Sequence, residues 1–194
     1  MSREKILNAV LANQPPLVPL PNIDFFEKTG HPTDLFMETL VNIGGRAFKI
    51  EQPAAVGALL QQHFELGNKR VMTNMEELSG IAELITAGDD PHNLQDVELM
   101  ILKAHFGVAE NGAVWITEQL MGLRIAPFIT QHLAIVLHEA AIVPDMQYAY
   151  AAIGDERYRF GSFIAGPSKT ADIEQALVLG AHGPRTMTAY IISN

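Results

Sequence analysis

The sequence predicts a layered α/β domain built on a mostly parallel sheet, and three observations lead there. Helical periodicity alternates with short strand-like runs along much of the chain. The runs at 99–102 and 133–137 are continuously apolar, as strands buried on both faces are. At 194 residues with 48% hydrophobic and 18% charged side chains, the chain suits a single globular unit with one substantial core.

Taken in order, Ser2 can cap a first helix whose Ile6, Leu7, Val10 and Leu11 form one stripe. Pro15, Pro16, Pro19 and Pro21 then enforce an extended path. Residues 1–30 therefore read as a helical and Pro-rich arm on a domain spanning 1–194. That arm serves an oligomer contact, a flap over a site, or packing on the flank of the body. A second helix starts at Thr33 or Asp34 with Leu35, Phe36, Leu40 and Val41 inward, and Gly44-Gly45 stops it. Strand 46–50, helix 54–64 and strand 70–74 follow, then a helix or irregular turn over 76–86 and the strand 97–102. The Asn111-Gly112 dipeptide makes a turn into strand 113–117. Strand 133–137, helix 144–153 and strand 160–165 lead into the Gly/Pro-punctuated stretch 166–184 and a last strand.

Composition removes several classes of function. A net charge of −9, with a pI near 5.2, argues against non-specific nucleic-acid binding through a basic face. No cysteine is present, which rules out disulfides, thiolate zinc sites, a cysteine nucleophile and thiolate-held iron–sulfur clusters in this chain. The first residues lack a secretory h-region, and no apolar run reaches the ~18 residues of a membrane span, so the expectation is a cytoplasmic protein.

The richest polar stretch is FGSFIAGPSKTADIEQALVLGAHGPRTMTAYII, residues 160–192. Ser168, Lys169, Thr170, Asp172, Glu174, His182 and Arg185 stand there between apolar flanks, and polar groups beside buried strands need partners or a ligand. Ser168 and Thr170 are expected to cap a following helix or turn, whose free N–H groups, with Lys169, His182 and Arg185, suit a carboxylate or phosphate. Asp172 and Glu174 add negative charge to that first turn, so capping and dipole complementation account for the same pattern. Gly161–Gly166 has the spacing of a phosphate loop, but Pro167-Ser168 stands where Lys-Ser/Thr is required, and this reading is rejected. The second polar loop, GVAENG at 107–112, offers Glu110 between glycines. It is either a ligand loop at the carboxyl ends of the strands or a plain hairpin turn.

Other chemistries find little purchase. His138-Glu139 opens like a zinc-protease motif, but Ile142 replaces the second histidine. His132 and His138 lie about 20 Å apart along an extended segment, and His63, His92 and His105 have no partner at ligand spacing, so no metal is expected. No Gly-x-Ser-x-Gly elbow occurs. Ser168, His182 and Asp172 supply the residue types of a triad without a spacing that fixes one.

The segments GVAENGAVWIT (107–117) and FIAGPSKTADIEQALVLGAHGP (163–184), with the strand after them, resemble the LUD-domain family, in particular its lactate utilization protein C (LutC/YkgG) branch. Asn111, Ala165 and Lys169 depart mildly from the family's usual threonine, serine and arginine. The resemblance implies a three-layer α/β/α fold of the NagB/RpiA/CoA-transferase type. It also implies a part in oxidising L-lactate to pyruvate beside iron–sulfur oxidoreductase subunits (LutA/LutB-like), with no cofactor in this chain and the clusters confined to those partners. Glu110, Ser168, Thr170, Asp172, Glu174 and His182 carry over as motif positions. Glu110, Asp172, Glu174 and His182 are the catalytic candidates. Gly107, Glu110, Asn111, Gly112, Gly166, Ser168, Lys169, Thr170, His182, Gly183 and Arg185 are the ligand-binding candidates, suited to a small carboxylate. Three functions follow: a subunit of a lactate-oxidising assembly; an independent enzyme using Glu110 on a carboxylate, CoA ester or sugar phosphate; or a purely structural assembly protein. A homo-oligomer stays open.

Overall fold

The computed structural model describes residues 2–19, 31–53, 55–65, 67–86, 88–171 and 177–193. In chain order the elements are α1 (Arg3–Ala12), α2 (Pro32–Asn42), β1 (Arg46–Ile50), α3 (Ala55–His63), β2 (Arg70–Thr73), β3 (Glu83–Leu84), β4 (Val97–Lys103), β5 (Phe106–Val108) and β6 (Ala113–Thr117). There follow α4 (Glu118–Met121), α5 (Ala126–Ile129), β7 (His132–His138), β8 (Ile142–Val143), α6 (Met146–Ile153), β9 (Gly161–Ala165), β10 (Lys169–Ala171), β11 (Leu177–Leu179) and β12 (Thr186–Ile192).

Six strands, in the order β1-β12-β7-β4-β2-β3, form a wholly parallel sheet. Its strands are apolar on both faces, and side-chain alternation divides them cleanly. Met100, Leu102, Leu133, Ile135, Leu137, Met187, Ala189 and Ile191 face one core with Phe36 and Leu40 of α2. Leu99, Ile101, Ala134, Val136, Tyr190 and Ile192 face the other, where α3 contributes Val56 and Leu60. The three-layer α/β/α arrangement follows from that two-sided burial, and one outer layer holds an addition.

That addition is a four-stranded sheet, β8-β5-β6-β9, built from the crossovers that flank β7. The antiparallel hairpin β5–β6 comes from the β4-to-β7 connection, while β8 and β9 come from the β7-to-β12 connection. Val114, Ile116 and Ile164 turn inward to the main core. Phe106, Val108 and Trp115 turn outward to Ala149 and Ile153 of α6.

Two local expectations need correction. In α2 only Thr33, Phe36 and Leu40 are buried, whereas Leu35 and Val41 stay 42% and 54% exposed. The i, i+4 pair Phe36/Leu40 defines the inward stripe, and Leu35 and Val41 lie to either side of it. Residues 76–86 are not a helix: a single 3₁₀ turn, Glu76–Leu78, precedes β3, which pairs parallel with β2. Helix α1 forms as its periodicity suggests, with Ser2 accepting from the Lys5 amide, but it buries no residue.

The histidines are structural in their settings. His63 Nδ1 shares a 2.9 Å hydrogen bond with the hydroxyl of Tyr190 and stacks on Phe48. His132 Nδ1 lies 2.8 Å from Thr186 Oγ1, and His105 Nε2 lies 2.7 Å from Thr117 Oγ1. Desolvation lowers all three histidines below their ordinary pKa, and raises the Tyr190 hydroxyl to about 12. Below pH 6.5 the unfolded chain binds protons that the folded histidines refuse, so stability is greatest above that value and falls as pH drops through it. Urea midpoints are therefore expected to fall between pH 7.5 and 5.5, and a His63→Gln/His132→Gln double variant to flatten that dependence. In the centre of the sheet, Thr188 is fully buried with its Oγ1 unpaired. Thr188→Val removes the buried hydroxyl at constant shape and is expected to stabilise the fold by about 1–3 kcal/mol, read from the same urea transitions.

Candidate functional site

A strand that joins a parallel sheet must enter from the amino end, and this decides where the polar loops lie. β12 runs parallel to β1 and β7, so the chain leaving β9 must return to the end where those strands begin. The Ser168 amide donates to the carbonyl of Pro184 (2.9 Å), and the Arg185 amide donates to that of Gln131, just before β7 (2.8 Å). Lys169 Nζ packs beside Gly44, two residues before β1. Ser168, Lys169 and Arg185 therefore sit at the amino end of the parallel sheet, not at the carboxyl end where ligands of such sheets usually gather.

The second polar loop meets them there. β6 and β9 pair antiparallel with Ala113 opposite Ala165, which places Gly112 beside Gly166. Both glycines have φ of +68°, and a Cβ on either would come within 3.1–3.2 Å of Ile43 Cδ1 at the end of α2. Neither the left-handed backbone nor this close approach tolerates a larger residue. Gly107, Gly112 and Gly166 are buried, Asn111 and Ser168 half-buried, and Lys169, His182 and Arg185 exposed. Asn111 Oδ1 accepts from the Ala113 amide (3.0 Å), tightening the turn. Ser168 Cβ stands 3.1 Å from where a Cβ on Gly183 would be, so Gly183 lets the two ends of the 166–185 stretch approach each other.

Ser168 and Thr170 open no helix within 169–171, and the residues after Ala171 that a cap would serve lie outside the described ones. Lys169–Ala171 is β10, paired antiparallel with β11, with Thr170 opposite Val178. The Gly180 amide donates to the Ser168 carbonyl (3.1 Å) and closes the base of this hairpin. Ser, Thr and Ala are short enough for either a cap or a strand, and pairing with the Leu-Val-Leu of β11 decides in favour of the strand. Asp172 and Glu174 lie outside the described residues.

Glu110 is turned toward α6. Its Oε1 accepts from the Met146 amide (3.1 Å), an orphan donor of the first helical turn, while Asp145 caps the Tyr148 amide. The carboxylate is exposed and occupied by that backbone. Among the described residues, no carboxylate pairs with Lys169, His182 or Arg185. Behind them the amino end of the sheet is polar: Glu98 Oε1 bridges Lys69 Nζ (2.6 Å) and approaches His132 Nε2 (3.7 Å), and Arg46 lies over the Phe64 ring (5.1 Å). Among the described residues no three histidines or carboxylates gather in a metal-binding group, and no helix is long and apolar enough to cross a membrane. Lys169, Arg185 and the Ser168 hydroxyl come to the amino end of the sheet, where charge-assisted hydrogen bonds could hold an anion.

Sequence reasoning passed over a separate cleft at the far end of the β6–β9 ribbon. It is lined by Thr117, Glu118, Arg124, Arg157, Tyr158 and Phe160 among others. The signal was available in Arg157-Tyr158-Arg159, two arginines flanking an aromatic residue.

Residues 88–192 match the LUD domain. Lactate utilization protein C of Geobacillus kaustophilus (strain HTA426) is 34% identical over 91 residues, 44% of this chain and 38% of that protein. Its namesake in Bacillus licheniformis is 35% identical over 116 residues, 55% and 47% of the two chains. The chain therefore covers less than half the length of these two relatives. The Escherichia coli (strain K12) protein YkgG is 25% identical over 152 residues, covering 67% of this chain and 65% of that one. A crystal structure of a DUF162-family protein from Deinococcus radiodurans shares the fold, with a TM-score of 0.62 at 15% identity over 83% of this chain and 96% of that one.

The two loops make separable demands. Gly112→Ala puts a side chain in a left-handed conformation against the α2 backbone and is expected to cost about 1–3 kcal/mol in a urea titration. Glu110→Gln keeps an acceptor and loses only its charge at the α6 terminus, for a cost of about 1 kcal/mol or less.

Proposed function

The chain belongs to the LUD-domain family, and on that premise we propose that it acts in L-lactate utilization, as a subunit working beside iron–sulfur oxidoreductase partners that convert L-lactate to pyruvate. The observation that carries this reading is that the match over 88–192 contains both polar loops, 107–117 and 163–184, which lie side by side through the β6–β9 pairing. Two curated relatives bearing the lactate utilization name match over 44% and 55% of the chain. The lack of cysteine in the chain supports a division of labour in which electrons travel through partner proteins.

Within this role, Lys169, His182 and Arg185 beside Ser168 form the corner that receives a small carboxylate, and the exposed rim around them faces the partner. Lys169 and Arg185 supply the charge, with the arginine fork able to grip both oxygens. Glu110 holds α6 by its backbone, which gives an acid, base or acyl-acceptor role for this residue no geometric support.

Deleting the gene from its host is expected to abolish growth on L-lactate, and the wild-type gene to restore it. Lys169→Gln/Arg185→Gln at matched expression should restore growth poorly. Affinity purification from lactate-grown cells should recover proteins that show iron–sulfur absorbance. Normal growth of the deletion strain, with no such protein recovered, overturns the reading.

A further inference from the structure

The cleft at the far end of the β6–β9 ribbon has a chemistry of its own, independent of the lactate role. Its floor is where β6 ends at Thr117 and β9 begins at Gly161, opposite residues in the ladder. Four residue steps separate this end from the Ala113/Ala165 end, about 14 Å at about 3.4 Å per step. One wall is the turn from α4 into α5, with Gly122, Leu123, Arg124 and Ile125; the other is the extended segment Arg157–Phe160. The volume, about 790 Å³, falls in the range of about 300–1,000 Å³ usual for small-molecule sites.

On a chain of net charge −9, this cleft gathers three of the 13 Lys and Arg residues against one carboxylate. That concentration is the opposite of what the overall composition would scatter there. The carboxylate is already spoken for: Arg124 grips Glu118 with two hydrogen bonds, Nε to Oε1 at 2.8 Å and a terminal nitrogen to Oε2 at 3.1 Å. The same guanidinium lies 5.4 Å over the Phe160 ring, which fixes its plane. The more distant charge of Arg159 also acts on Glu118; among the described residues Arg157 and Arg159 stand in no salt bridge within about 4 Å. The lining is left with two positive charges in excess, and guanidinium forks match phosphate oxygens in pairs.

We propose that this cleft binds a small organic phosphate monoester, its dianionic head on Arg157 and Arg159 and its body along Tyr158, Leu123 and Ile125. A phosphate monoester carries about −1.5 to −2 charges near pH 7 and so balances the two free guanidinium groups. A monocarboxylate leaves one uncompensated. The volume exceeds what the phosphate head needs, and the apolar side chains of the wall take the remainder.

The molecule contains its own reporter. Trp115 is the chain's single tryptophan, and the Tyr158 ring stands edge-on to it at 5.3 Å. Titration of the whole protein with adenosine 5′-monophosphate, glucose 6-phosphate and glycerol 3-phosphate, read by Trp115 fluorescence and by calorimetry, should give saturable binding to at least one. L-lactate and adenosine should bind at least tenfold more weakly. Arg157→Gln/Arg159→Gln should weaken the phosphate ester at least tenfold while unfolding at the wild-type temperature. Arg3→Gln/Lys5→Gln, which removes the same charge from α1, should leave binding within twofold. If none of the three esters binds, if lactate binds as tightly, or if the cleft and α1 variants lose affinity equally, the proposal is overturned. Because the readouts are binding alone, failure here leaves the lactate reading untouched, and failure of growth tests leaves this one standing.

Discussion

The placement of β12 between β1 and β7 is the constraint that the rest of the structure obeys. That strand pairs in parallel register with β7 from Thr186 against His132 to Ile192 against His138, and with β1 from Thr188 against Arg46 to Ile192 against Ile50. Parallel pairing obliges each neighbour to be entered from the same end, so the chain must climb and return outside the sheet before every strand. The return paths become the second sheet and the polar loops. The four-stranded sheet is thus a by-product of crossovers that carry strands as well as helices.

Much of this was legible. Runs such as Leu133–Leu137 and Leu99–Leu102 are apolar at every position, which only a strand covered on both faces accommodates, and both lie at the centre of the parallel sheet. The second sheet was harder to see because β5 and β8 are three and two residues long, too short for periodicity to register. The Ser168–Thr170 segment misled for a different reason. Side chains that cap helices also suit strand edges, and the deciding partner, β11, lies beyond the intervening residues in the chain. In α2 the error was one of rotation: four apolar residues were assigned to an inward face that holds two.

For the candidate site, the sequence showed which residues bear chemistry but not which end of the sheet they would reach. Lys169 and Arg185 stood out as cations in a glycine-punctuated stretch, and both stand at the amino end of the sheet. Glu110 stood out equally, yet its acceptor is consumed by the Met146 amide. No spacing rule announces that use, because α6 begins 36 residues further on. Arg124 and Arg159 have the reverse history. They lie 35 residues apart with unremarkable neighbours, and only the pairing of Thr117 with Gly161 brings their segments together.

The central strand also has a temporal meaning. Arg46 and the partner of its neighbours in β12 stand about 140 residues apart in the chain, among the most distant pairings a domain of this size can contain. Until residues 186–192 have left the ribosome, β1 and β7 each present an open row of amides and carbonyls to solvent or to any chaperone present. A newly made copy therefore passes through a stage with two unfinished, sticky margins, and truncation anywhere before Thr186 would leave it there permanently.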